Sequence, residues 1–128
     1  MADSEKITIN MNAVDLGKVD LLVQEGLYSN RTDFIRTAIR SQLEKHTFEL
    51  QQSVTRNAYV IGVLVYDRKD LEKCLAKGER MNLNIVGLLH LADVISPELA
   101  AQAIESIRVR GIFNVSETVK NALADRMK

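Results

Sequence analysis

Residues 6–12 read KITINMN, polar at Lys6, Thr8, Asn10 and Asn12 and apolar at Ile7, Ile9 and Met11. A period of two marks a β-strand with one buried face. The sequence offers this strand no neighbour nearby, because two successive helical patterns follow it. A lone strand leaves backbone N–H and C=O groups unpaired along both edges. Either it joins an ordinary sheet built from distant segments, or it pairs with the same strand of a second copy. Pairing between copies gives an antiparallel two-stranded ribbon with two-fold symmetry. Such a ribbon is too small to be stable alone, so dimerisation and folding are expected as one event.

The first helical pattern, AVDLGKVDLLVQEG, carries Val14, Val19, Leu22 and Val23 on one face and stops at Gly26. Gly17 inside it costs about 1 kcal/mol relative to Ala, which makes the helix dependent on packing. The second pattern opens at Ser29 or Asn30 as cap, with Asp33 in capping-box spacing from Asn30. Phe34, Ile35, Ala38, Ile39 and Leu43 form its apolar face, and Arg31, Arg36 and Arg40 lie off it. Leu50 and Val54 extend that face to about residue 55.

Beyond residues 51–57, a linker or helix extension, the pattern changes to a repeat. YVIGVLVYDRKDLEKCLAKGER, NIVGLLHLADVISPELAAQAIES and RVRGIFNVSETVKNALADRM each hold a β-prone run with a central glycine, a turn, a cap and an amphipathic helix. Gly62, Gly87 and Gly111 are 25 and 24 residues apart. The helices are expected to start at Asp67, at Ser96 followed by Pro97, and at Ser116. Their buried pairs are Leu71/Leu75, Leu99/Ala103 and Val119/Leu123. One strand and one helix per unit of this length points to a β/α solenoid with parallel strands and right-handed crossovers, or else to a small α/β domain of evenly spaced elements.

A two-stranded ribbon fits the major groove of B-DNA. Its exposed face would present Lys6, Thr8 and Asn10 twice. Lys donates to guanine, Asn pairs with adenine, and Thr offers a hydroxyl and a methyl. The N-terminus of the second helix, with Ser29, Asn30, Arg31 and Thr32, is suited to a phosphate. The order of KITINMN, EGLYSNRTDFIR and the apolar positions Ile35, Ala38 and Ile39 resembles the ribbon-helix-helix DNA-binding proteins of the Arc/MetJ/CopG type, over about residues 5–48. Asn30-Arg31-Thr32-Asp33 stands where that family often has Ser-Arg-Ser-Glu. The resemblance implies an intertwined dimer with a core of Ile7, Ile9, Met11, Ile35, Ala38 and Ile39. It assigns base reading to Lys6, Thr8 and Asn10, and phosphate anchoring to Ser29, Asn30, Arg31 and Thr32.

The fold expected is therefore an α+β ribbon-helix-helix domain over residues 1–50, followed by a small α/β domain of three β-α repeats, solenoid-like, over residues 58–128. Charge sets this chain apart from its more basic look-alikes. The whole is neutral, with 17 Lys/Arg against 17 Asp/Glu, so binding has to rest on where the positive charges sit. His46, His90 and Cys74 lack metal-site spacing, and no nucleophile–base pair or phosphate-binding glycine loop is evident. We expect no enzyme, no metal and no cofactor. A single cysteine, no bilayer-length apolar run and no secretory pattern suggest a cytoplasmic protein without a membrane partner. The expected partners are double-stranded DNA and a second copy, with tetramers or larger assemblies formed through the C-terminal half. The expected activity is transcriptional regulation, most simply repression by occlusion. The other reading of that half is a binding domain for an effector, or for a toxin if the chain is an antitoxin.

Overall fold

The computed structural model describes residues 4–128. The chain divides into two compact units, residues 6–52 and residues 53–128.

In the first unit, residues 4–12 carry no regular secondary structure in the single chain. The strand expected over KITINMN is absent here, since a strand is defined by its hydrogen-bonded neighbour and the described residues supply none. Asn12 instead serves as N-cap to α1 (Ala13–Gln24), its side chain accepting from the Asp15 N–H at 2.8 Å. Gly26 follows that helix with φ +84°, and its N–H donates to the Val23 carbonyl. This is the left-handed stop for which glycine carries no Cβ penalty. Asn30 caps α2 (Arg31–Lys45). The apolar face does not run on unbroken to residue 55. Helix α2 ends at His46, and α3 (Thr47–Asn57) starts anew, with the Thr47 hydroxyl satisfying the Glu44 carbonyl at 2.7 Å.

The rings of Tyr28 and Phe34 meet nearly at right angles, with 5.0 Å between centroids. Val19 is the one residue of this unit, among those described, that is fully buried.

The second unit is built of β1 (Val60–Tyr66), α4 (Arg68–Ala76), β2 (Met81–Leu91), α5 (Pro97–Ala103), β3 (Ile104–Asn114) and α6 (Glu117–Ala122), closed by a 3-10 turn at Ala124–Arg126. The strands form one parallel sheet in the order β1-β2-β3. Asp67, Ser96 and Ser116 stand at the N-caps of α4, α5 and α6, the positions expected from sequence. Helix α4 contacts α5, and α5 contacts α6. Leu71, Ala100, Ala103, Val119 and Leu123 pack from these helices onto Leu83, Ile85, Leu89, Leu91 and Ile107 of the sheet.

Two strands are longer than the repeat suggests. Strand β3 begins at Ile104, the residue that ends α5, so the expected helix through AQAIES stops after Ala103. Ile104 and Ile107 are β-branched and fully buried, and the register shift that leaves Glu105 without a strand partner brings both to the core although they lie three residues apart. Arg80 and Arg126 hold the truncated helix end, both donating to the carbonyls of Ala101 and Ile104.

The three repeat glycines stand side by side: Gly62 pairs with Gly87, and Gly87 with Gly111. All three have positive φ, between +127° and +150°. A Cβ on Gly87 would collide with the Gly62 carbonyl oxygen, and one on Gly111 with the carbonyl oxygen of Gly87. The recurrence of glycine thus reflects contact between backbones across the sheet.

Candidate nucleic-acid interface

Lys6, Thr8 and Asn10 are all solvent-exposed. The apolar residues between them are also bare: Ile7 is 79% exposed and Ile9 58%. Farther along, Ala38 is exposed, Ile39 is 54% exposed and Ile35 is half-buried. The residues expected to form a dimer core are thus out of water's reach only in part, or not at all, within one chain.

The start of α2 gathers Ser29, Asn30, Arg31 and Thr32 at one helix end. Asn30 lies in extended backbone and its side-chain oxygen accepts from the Asp33 N–H at 2.8 Å. Asp33 returns a carboxylate oxygen to the Ser29 N–H at 2.9 Å. The reciprocal bond expected at Asn30 therefore falls one residue earlier. The first-turn N–H groups of Arg31 and Thr32 have no intrahelical acceptor, as at any helix start. They sit where the helix dipole is positive, which favours an anion.

Two acidic residues temper this end, Asp33 at a position the capping-box spacing marks and Asp20 at one that no sequence pattern signals. Asp33 holds a carboxylate at the helix start. Asp20, from α1, grips Arg31 in a two-pronged ion pair, with Nε to Oδ1 at 2.7 Å and Nη2 to Oδ2 at 2.8 Å. The hydrogen bonds from Arg31 hold the Asp20 carboxyl below its ordinary range, and the same contact raises the Arg31 guanidinium. No local spacing betrays this pair, since its members lie on different helices eleven residues apart.

The second unit presents weaker chemistry. Among the described residues, no three His, Cys, Asp or Glu side chains come together as a metal site would need. The Cys74 thiol donates to the Glu79 carbonyl. A shallow depression is lined by Asp67, Arg68, Lys69 and Val94. Its carboxylate, Asp67, accepts from the Asp70 N–H as an N-cap, which lowers its pKa.

Over residues 2–120 the sequence matches the ribbon-helix-helix transcriptional regulator family. The chain belongs to that family. The match to this ribbon-helix-helix regulator family spans the strands of the second unit as well as the helices of the first. Among curated proteins and solved structures, nothing matches it significantly. Among the described residues of this regulator, no helix is long and apolar enough to cross a membrane.

Proposed function

We propose that this protein is a sequence-specific DNA-binding repressor acting as a dimer or a multiple of one. Two copies pair residues 6–12 into an antiparallel ribbon that enters the major groove. Lys6, Thr8 and Asn10 read base edges, while Ser29, Asn30, Arg31 and Thr32 anchor phosphates on either side. Ile7, Ile9, Met11, Ile35, Ala38 and Ile39 form the core between copies. The C-terminal β/α repeats, read as a short solenoid, join dimers into larger assemblies, and repression follows from occlusion of the site.

One observation carries the dimer. The unit over residues 6–52 leaves Ile7, Ile9, Val14, Leu21, Leu27, Ile39 and Leu43 exposed while burying Val19 alone, among the described residues. An exposed leucine or isoleucine buried by a partner contributes roughly 1.5–3 kcal/mol. Without such a partner, a unit of this size falls short of the backbone entropy it must overcome. Family membership supports the DNA-binding reading, since ribbon-helix-helix proteins bind DNA, usually as dimers.

The experiment is selection of duplexes from a random pool by the full chain, followed by binding of the winners to variants. Two-fold symmetric sites should be enriched. Asn10→Ala should relax preference at one position per half-site, at a cost of about 1–3 kcal/mol in discrimination. Ile9→Glu should yield monomers that do not bind. A pool that stays random, or an Ile9→Glu chain that remains dimeric and binds, would sink the proposal.

A further inference from the structure

Each repeat glycine is set against the glycine of the strand before it. The Gly62 carbonyl oxygen stands where a Cβ on Gly87 would be, and the Gly87 carbonyl oxygen does the same at Gly111. Gly62 has the same kind of backbone, with φ +150°. Yet among the described residues nothing lies within 4 Å of where its own Cβ would stand. This empty socket opens onto the outer edge of β1, which has a strand on one side only. By the same repeat, the Gly111 carbonyl points off the opposite edge of the sheet. One edge therefore carries a socket, and the other carries the group that fills both of its counterparts.

The two edges also match in length. On the outer side of β3, Met127 bridges Ile107 and the Lys128 N–H donates to the Ile107 carbonyl at 2.8 Å. Among the described residues, no strand flanks 109–114 on that side. Setting Gly111 beside Gly62 of another chain, as Gly62 stands beside Gly87, lays 109–114 along 60–65. Two core rows then continue, Val109 onto Val60 and Phe113 onto Leu64. Within one chain, Ile85 and Leu89 in the middle of these rows are buried, whereas Val60 is 51% exposed and Leu64, Val109 and Phe113 are covered only in part. Arg110 falls beside Ile61, where its aliphatic stem can lie on the isoleucine. The helix layer follows: α4 contacts α5 and α5 contacts α6, so α6 comes beside the next α4.

We infer that the outer edge of β1 receives β3 of a second copy, in parallel and head to tail. The inference rests on the assembly role proposed for the repeats and names the edges that perform it. Pairing β1 with β1 sets socket against socket, and pairing β3 with β3 sets carbonyl against carbonyl, so neither two-fold arrangement uses the match. An open strand edge is a hazard unless something covers it, and here the cover is the other end of the same sheet. A head-to-tail contact between two-fold dimers propagates as a ring or a filament. Each ladder is short, and copies already joined through the first unit meet it at a raised effective concentration.

The test uses the full chain in two parts. Light-scattering mass of wild type is followed over a range of concentrations. In a Cys74→Ser background, one variant carries Val63→Cys and another Ile112→Cys, positions that the head-to-tail register sets side by side. Within one chain both flank Leu88, so the cysteines are kept on separate chains. The two variants are co-expressed, oxidised with copper phenanthroline and resolved on a denaturing gel beside each variant alone. A mass that climbs above the dimer, with a cross-link in the mixture that neither variant gives alone, supports the inference. A mass above the dimer without that cross-link, or with equally strong 63–63 or 112–112 cross-links, overturns it while the assembly role survives through another surface. A mass fixed at the dimer at every concentration overturns the assembly role and the inference with it.

Discussion

Arg31 on α2 and Asp20 on α1 face each other as a planar fork, two hydrogen bonds of 2.7 and 2.8 Å joining guanidinium to carboxylate. The pair ties the two helices together across the turn that carries Tyr28, whose ring packs on Phe34 of α2. It also occupies the one arginine at the N-terminus of α2. A phosphate that recruits Arg31 has to compete with Asp20 for it.

Releasing that competition should strengthen binding. Asp20→Asn keeps the shape of the side chain, removes its charge and frees one guanidinium per copy. On the proposed reading, affinity for duplex DNA rises. The slope of log affinity against log salt steepens by about 0.9 for each additional phosphate that is neutralised. Titrations at several salt concentrations check this, and an unchanged slope would show that Arg31 does not reach the backbone.

The same pair makes the first unit acid-sensitive in a defined direction. Asp20 has a folded-state pKa below its ordinary 3.8. Its contribution to stability is therefore present above that ordinary value and is lost as pH falls through the depressed one. Both groups are exposed, so the effect is small and is screened by salt. Thermal unfolding between neutral pH and pH 3 should show wild type losing more than Asp20→Asn over the acid limb.

Two glycine substitutions should act in opposite senses. Gly87→Ala drives a methyl group into the Gly62 carbonyl at a positive φ, where neither strand can yield without breaking register. It should abolish the cooperative unfolding of the second unit. Gly17→Ala meets nothing within 4 Å in the middle of α1 and should stabilise by about 1 kcal/mol. Denaturant titration of both variants distinguishes a glycine that the fold requires from one that it tolerates.

Ala58 ends α3 with φ +54°, the only described residue other than glycine with positive φ. The Tyr59 N–H closes the turn onto the Val54 carbonyl at 3.0 Å. An alanine in left-handed backbone costs on the order of 1 kcal/mol. Ala58→Gly should recover part of that, raising the midpoint of unfolding while leaving DNA binding unchanged.

Much of this was legible in the chain. Caps at Asn30, Asp67, Ser96 and Ser116 follow from short polar residues before apolar periodicity, a local signal that the fold obeys. The recurrence of glycine anticipated parallel strands in register. What escaped was non-local. Asp20 meets Arg31 only because two helices fold back on each other, and the strand at Ile104 displaces a helix because the core claims Ile104 and Ile107. The break at His46 is a local exception, marked by the Thr47 hydroxyl donating to the Glu44 carbonyl. The alternating segment at residues 6–12 is plain as a pattern, but its conformation belongs to whatever pairs with it.

The sheet is laid down in the order of the chain, each strand beside the one before it. A ribosome can therefore build it by accretion: β2 emerges with β1 already made, and β3 completes the set with no strand threaded between two others. The amino-terminal segment has the opposite history on the dimeric reading. It is synthesised ahead of the sheet, yet its neighbour lies on a different polypeptide. Translation of adjacent copies from one message would bring those early segments together while the repeats behind them are still being made.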